Sequence, residues 1–351
     1  MKATPVRTRA DLRDFCELPL RLHPRDLYVP LPAPVIARHA RTAKLYVVRD
    51  SRGRVVGRTS THRDEAFVPC QLFGHTEFID DDAVFATLVD VVTRDAGGRA
   101  LFGPVALLPN QTGGVITSGF EDRGFVDSAW NPAYYPSLYE RHGFTRRFQA
   151  DTWVVEVAGS AAAYTFDDSR IAAERLVIRH GSRRGLRHQL PILREMLNAS
   201  FARLGYYTEI SAGQLAEQTD GLAFLLDEGL LLWLEKAGRP VAFVVAVPDI
   251  SEFLMRTGGR LGPVEQLRLL ATRSRYRRDA VLVVKGTVPG AQGQGYMTLL
   301  SREVHRHLEA SGYRTLRSTF VERDNAASAA SYRRAGGRPL HGYTFFERGA
   351  A

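Results

Sequence analysis

The stretch from Ala280 to Leu308 leaves few folds open. Ala280 to Val284 is a β-branched run that leads straight into Gly286-Thr287-Val288-Pro289-Gly290-Ala291-Gln292-Gly293-Gln294-Gly295. Met297, Leu300, Val304 and Leu308 then recur at helical spacing, and Gly312 supplies a C-terminal stop. A strand that enters a glycine-rich turn and opens a helix belongs to an α/β (α+β) arrangement in which helices cover a sheet. The same turn is an anion site, because the first N–H groups of a helix lack partners within it and the helix dipole favours negative charge. Glycine lets the backbone approach a phosphate closely.

A second element follows. Thr315 to Val321 reads as a strand and Asn325 to Arg334 as a helix, with Ser328 three places and Tyr332 seven places after Asn325, and then Gly336-Gly337. On a helix, 325, 328 and 332 share one face, so Asn325 and Tyr332 point together toward the preceding strand end. Tyr343 to Glu347 reads as a closing strand.

Upstream, the same order recurs. Leu45 to Val48 and Val55 to Arg58 flank the turn Asp50-Ser51-Arg52-Gly53, and Leu72 to Ile79 reads as a strand. Asp80-Asp81-Asp82 opens a helix carrying Val84, Leu88, Val91 and Val92, and Ala100 to Val105 is another strand. Asn131, Leu138-Tyr139 and Gly143-Phe144 then echo the C-terminal pattern, which implies duplication of one unit. Where the second copy has its glycine turn, this one has Glu77, Asp80, Asp81 and Asp82, carboxylates that repel a pyrophosphate. The first half is therefore not expected to bind one. Ala158 to Ala173 is small, polar and weakly patterned, so the expected division is a first domain 1–157, a linker 158–173 and a second domain 174–351. Within the second, Leu176 to Arg179 reads as a strand, Gln189 to Leu204 as a helix, and Gly229 to Pro248 as a hairpin turning at Ala237-Gly238-Arg239-Pro240.

A chain of 351 residues, 44% hydrophobic and 24% charged, suits two globular domains. Met1 to Phe15 lacks an apolar run and Leu230 to Leu234 is far too short to span a bilayer, so a cytoplasmic protein without a membrane partner is expected. Cys16 and Cys70 fit neither a disulfide framework nor a zinc knuckle. His305 and His307 fall on different faces of one helix and His341 has no ligand at motif spacing, so no metal is expected. The net charge of +9 is arginine charge, since the only lysines are Lys2, Lys44, Lys236 and Lys285. Its densest run, Arg268, Arg273, Arg275, Arg277 and Arg278 beside Leu267, Leu269 and Leu270, reads as a solvated amphipathic helix, with a functional basic patch as the alternative.

The segment Thr287 to Gly337 resembles the coenzyme A site of the GNAT superfamily of N-acetyltransferases. That superfamily reads Q/R-x-x-G-x-G/A, here Gln292-Gly293-Gln294-Gly295-Tyr296-Met297, and Asn-x-x-Ala-x-x-x-Tyr before Gly-Phe, here Asn325, Ser328, Tyr332 and Gly336-Gly337. Met297, Ser328 and Gly337 depart from the pattern. The whole chain resembles bacterial proteins with two tandem GNAT-like domains, each a mixed, mostly antiparallel central sheet flanked by helices.

The resemblance implies acetyl-CoA or another acyl-CoA as cosubstrate. Backbone amides of Gln292 to Gly295 and the helix from Tyr296 would hold its pyrophosphate, and the pantetheine arm would run past Thr287 and Val288 and contact Asn325. Tyr332 would protonate the departing thiolate, a role a phenol within hydrogen-bond reach can fill. For a general base, Glu322 near the strand end is the first choice and Glu252 the second. The expected function is direct N-acyl transfer to a small amine, amino acid or biosynthetic intermediate, with Gly113 to Tyr135 a candidate to shape the acceptor pocket. The alternatives are a transferase that uses aminoacyl-tRNA, a nucleic-acid partner against which the intact phosphate loop speaks, and a non-catalytic acyl-CoA-binding protein.

Overall fold

A computed structural model describes residues 1–64, 67, 70–106, 113–205, 207–219, 225–276 and 278–350, with backbone only at 217 and 218. Arg277 of the arginine run lies outside the described residues. Two compact units are present: Met1–Asp151 with Ile250–Thr272 and Leu340–Ala351, and Thr152–Asp249 with Arg273–Pro339.

The first unit begins with β1 (Ala3–Pro5), α1 (Arg9–Leu22), α2 (Ala33–His39), β2 (Lys44–Arg49), β3 (Val55–His62), β4 (Cys70–Phe78), α3 (Asp82–Ala96) and β5 (Ala100–Gly103). It continues with β6 (Val115–Ser118), α4 (Tyr135–Arg141) and the start of β7 (Thr145–Glu156). Strands β1 to β4 pair antiparallel in sequence order, and β4 pairs parallel with β5 over Cys70↔Ala100 to Leu72↔Phe102. Side chains of a strand alternate between its faces. Thus Leu45 and Val47 join Phe15 and Leu18 of α1 in one core, while Tyr46 and Val48 join Val84, Leu88, Val91 and Val92 of α3 in another.

The second unit repeats this plan with α5 (Ser169–Ala173), β8 (Leu176–His180), α6 (Leu186–Phe201), α7 (Ala212–Thr219), β9 (Leu231–Lys236) and β10 (Arg239–Pro248). The chain then re-enters the first unit as α8 (Ser251–Thr257) and α9 (Pro263–Ala271). It returns as α10 (Arg273–Tyr276), β11 (Asp279–Thr287), α11 (Tyr296–Ala310), β12 (Thr315–Glu322) and α12 (Ala326–Arg334), and β13 (Arg338–Arg348) ends almost wholly in the first unit. Strands β8 to β11 pair antiparallel and β11 pairs parallel with β12. Leu232, Leu234, Ala242, Val244, Ala280 and Leu282 pack on Leu299, Leu300, Val304 and Leu308 of α11. The other face puts Leu231, Trp233 and Phe243 against Leu193 and Met196 of α6. The strand, helix and parallel strand β4-α3-β5 thus recurs as β11-α11-β12.

The units differ from the expected domains in two respects. Residues 158–173 are structured within the second unit: Ser160–Ala163 form a 3₁₀ turn, Tyr164 is buried, and Phe166 packs on the α11 core. Their small polar composition hides two aromatic anchors. In addition, 250–272 and 340–351 belong to the first unit, a long-range exchange that local patterning does not record.

Candidate functional site

The glycine turn is built as its residue types require. Val288 N–H donates to Val241 O (3.0 Å), Pro289–Ala291 form a 3₁₀ turn, and Gln292 Nε2 donates to Thr287 O (3.2 Å). Gly293 (φ +75°) and Gly295 (φ +79°) both sit in the left-handed region. Gly295 is the N-cap of α11 and offers the first-turn amides no side-chain acceptor. A Cβ at Gly290 or Gly293 would meet nothing within 4 Å, so the turn has open space beside it. Uncapped amides beside open space fit a pyrophosphate.

Two cations stand at this turn. The buried Tyr296 hydroxyl accepts from Lys236 Nζ (2.6 Å) and lies within hydrogen-bond distance of Gln294 Oε1 (2.7 Å) and of Glu174. Glu174 also pairs with Lys236 (3.0 Å) and Arg170 (2.6 Å). Hydrogen bonds from Tyr296, Arg170 and Lys236 hold its carboxyl down at about 2. Met297 does not crowd the turn: it packs, half-buried, on the α11 core.

Behind the turn the two parallel strands part. Backbone pairing of β11 with β12 runs from Asp279↔Thr315 to Leu282↔Ser318, whereas β11 continues to Thr287 and β12 to Glu322. A β-bulge lies at the same level, since Val245 pairs with Val284 but Ala246 with Leu282. An inserted residue turns the side chains beyond it to the opposite face. Lys285, two residues on, reaches over the Tyr332 ring with Nζ 4.2 Å from its centroid. Among the described residues no carboxylate pairs with it, and burial lowers its ammonium to about 8. The one signal for Lys285 in the sequence is its place as a lone lysine in an apolar strand that runs into the turn.

Tyr332 is buried, stacked on Trp153 (5.8 Å between centroids), with Ser318 beside its hydroxyl, and burial pushes its phenol well above the usual range. Asn325 is the N-cap of α12, its Oδ1 accepting from Ser328 N–H (3.1 Å), so both residues at present serve to start the helix. Gly337 takes the aromatic position of the pattern because a Cβ there would stand 2.8 Å from both Tyr332 O and Val155 Cγ2. Glu322 ends β12 within the same unit. Glu252 belongs to the first unit, exposed and 3.7 Å from Arg256.

In the first unit the equivalent helix start is closed. Asp81 caps α3, its Oδ1 accepting from Ala83 N–H (2.8 Å) and Val84 N–H (3.1 Å), so a carboxylate of the chain takes the place an anion would need. Glu77 is tied up inside, 2.6 Å from His23 Nε2, 3.8 Å from Arg58, and accepting from Tyr135 (2.9 Å). Two histidines of α11 have structural partners: His305 meets Ser160 Oγ (2.6 Å) and is lowered by burial to about 4, and His307 meets Asp227 (2.9 Å). In the first unit His341 faces Asp122 O (3.2 Å). Burial raises both thiols, Cys16 and Cys70.

Two GNAT folds in tandem, the second with an open glycine turn at the start of its helix, define the class of structure. The tandem GNAT protein from the clavulanic acid biosynthesis pathway superposes with a TM-score of 0.60 at 13% identity, over 100% of this chain and 98% of its own. In sequence the chain is similar to protein YghO of Escherichia coli, 24% identical over 74% of this chain and 71% of YghO. It is also similar to the bacterial ceramide synthase of Caulobacter vibrioides, 23% identical over 99% of this chain and 97% of that one. No family model matches the chain.

Proposed function

We propose that the second unit binds an acyl-CoA at Gln292 to Gly295 and transfers the acyl group directly to an amine. The observation that carries this reading is the coincidence, on one strand-turn-helix, of uncapped amides at Gly295 with a parallel pair that parts beyond Leu282↔Ser318. The first anchors a pyrophosphate and the second leaves room for an extended arm. Likeness to the ceramide synthase over nearly the whole of both chains favours a long-chain amine as acceptor and an acyl group longer than acetyl. The test is calorimetric titration with acetyl-CoA and a long-chain acyl-CoA, followed by a screen of amines for release of free coenzyme A. Absence of binding by either thioester would end the proposal.

A thioester supplies an electrophilic carbonyl and a thiolate leaving group. When the amine's lone pair forms the new C–N bond and the C–S bond breaks, the thiolate needs a proton and the product nitrogen must shed one. Tyr332 is one source, but its raised phenol is poorly matched to a thiol of ordinary strength, about 8.5. Lys285, lowered to about 8, is close to it, and we assign it the proton. The proton shed by the product nitrogen then restores the ammonium through solvent.

With only four lysines, labelling Lys Nζ gives four resonances that can be titrated one by one. The Lys285 resonance, assigned through Lys285→Arg, should titrate near 8, below the ordinary lysine range of about 10.4. Its midpoint should rise when coenzyme A binds, because a thiolate alongside favours the ammonium. Desulfo-coenzyme A should leave it in place. Titration of Lys285 in the ordinary lysine range would leave Tyr332 as the donor.

A further inference from the structure

Three of the five exposed large apolar side chains among the described residues lie on one short helix, α9: Val264 (73% exposed), Leu267 (68%) and Leu270 (37%). Positions 264, 267 and 271 recur at helical spacing, with 270 beside them, so Val264, Leu267, Leu270 and the exposed Ala271 share one face. Leu269, on the opposite face, is buried, 2% exposed. The helix is thus anchored from behind and presents leucines outward, the reverse of a solvated helix.

We propose that this face of α9 lies on the surface of an anionic lipid bilayer. The choice of partner rests on charge. Arg268 borders the apolar face, and the chain runs on from the helix end into Arg273, two residues away, and Arg275, four away, both exposed, so wherever α9 docks these guanidinium groups are within reach. An apolar face flanked by arginine suits the interface between acyl chains and anionic headgroups. The expectation of no membrane partner rested on the lack of a spanning segment. Among the described residues no helix is long and apolar enough to cross a membrane, and a helix lying in the interface needs no such length. This inference is independent of the acyl-transfer reading, though both a long-chain acyl-CoA and a long-chain amine would be met at such a surface.

The test is cosedimentation of the full chain with vesicles of equal parts phosphatidylglycerol and phosphatidylcholine, and with phosphatidylcholine alone. The wild type should bind the first at least tenfold more tightly than the second, with affinity falling as salt rises. Val264→Ser with Leu267→Ser should lower binding at least tenfold with an unchanged circular dichroism spectrum, and Arg268→Ser should weaken it and flatten its salt dependence. Wild-type protein that stays in the supernatant, or substitutions without effect, would overturn the proposal. So would a dimer in sedimentation velocity that Leu267→Ser disperses, since the face would then belong to a second copy.

Discussion

Replacing Gly293 and Gly295 together by valine should weaken acyl-CoA binding by about a hundredfold, as read by calorimetric titration. Both glycines lie at φ between +75° and +79°, where a non-glycine residue costs roughly 1–3 kcal/mol at each site. The turn then either keeps its shape at that cost or relaxes and swings the amides at the start of α11 away from the anion. Two sites at the lower end of the range already approach the roughly 2.7 kcal/mol that corresponds to a hundredfold. Clash with the protein's own atoms has no part in it, for a Cβ at Gly293 meets nothing within 4 Å and one at Gly295 first meets Phe166 at 3.8 Å. Gly290→Ala is the control: Gly290 is not in the left-handed region and has open space, so it should bind as wild type does. Equal affinity in all three proteins would remove this turn from the site.

Glu77→Gln should destabilise the protein by about 3–5 kcal/mol at pH 7, the usual cost of taking one partner out of a buried charge network. Urea denaturation is the measurement. The substitution leaves Arg58, 2% exposed, and the buried His23 facing a neutral amide. Burial by itself raises the Glu77 carboxyl, but His23, Arg58 and the Tyr135 hydroxyl outweigh it and hold the group below its ordinary range. A carboxyl lowered by folding adds stability above its unfolded value, and that stability is lost as pH falls through the folded value. The gap between wild type and variant should therefore be widest near neutrality and narrow as pH drops below about 4.3. A variant as stable as wild type at pH 7 would show the network to be no better than its neutral replacement.

What could be read from the sequence was local. Ala280 to Val284 is a strand because its residues are β-branched and apolar, and the turn that follows has glycine where the backbone is left-handed. Asn325 and Tyr332 fall on a helix at the expected positions, although Asn325 is occupied as a cap. The α1 helix was missed although Thr8 and Asp11 form a capping box, a signal present in the sequence but masked by Pro19 and scattered charges. Lys285 was illegible for a deeper reason. Its meaning depends on a bulge opposite Val245 and Ala246 and on the Tyr332 ring 4.2 Å away, and neither follows from neighbours in sequence. The arginine run reads in the sequence as a solvated amphipathic helix, whereas in α9 Leu267 and Leu270 are exposed along with Arg268.

The path of the chain has a consequence for how the protein is made. Residues 250–272 and 340–351 complete the first unit, yet they leave the ribosome after most or all of the second. Domains usually fold in the order of their synthesis. Here the half that is translated first cannot finish before the half translated second, because its final strand β13 is still unwritten. The second unit, whose last residue is 339, is the one able to mature early, and the leading unit must wait, partly assembled, for residues 340–351.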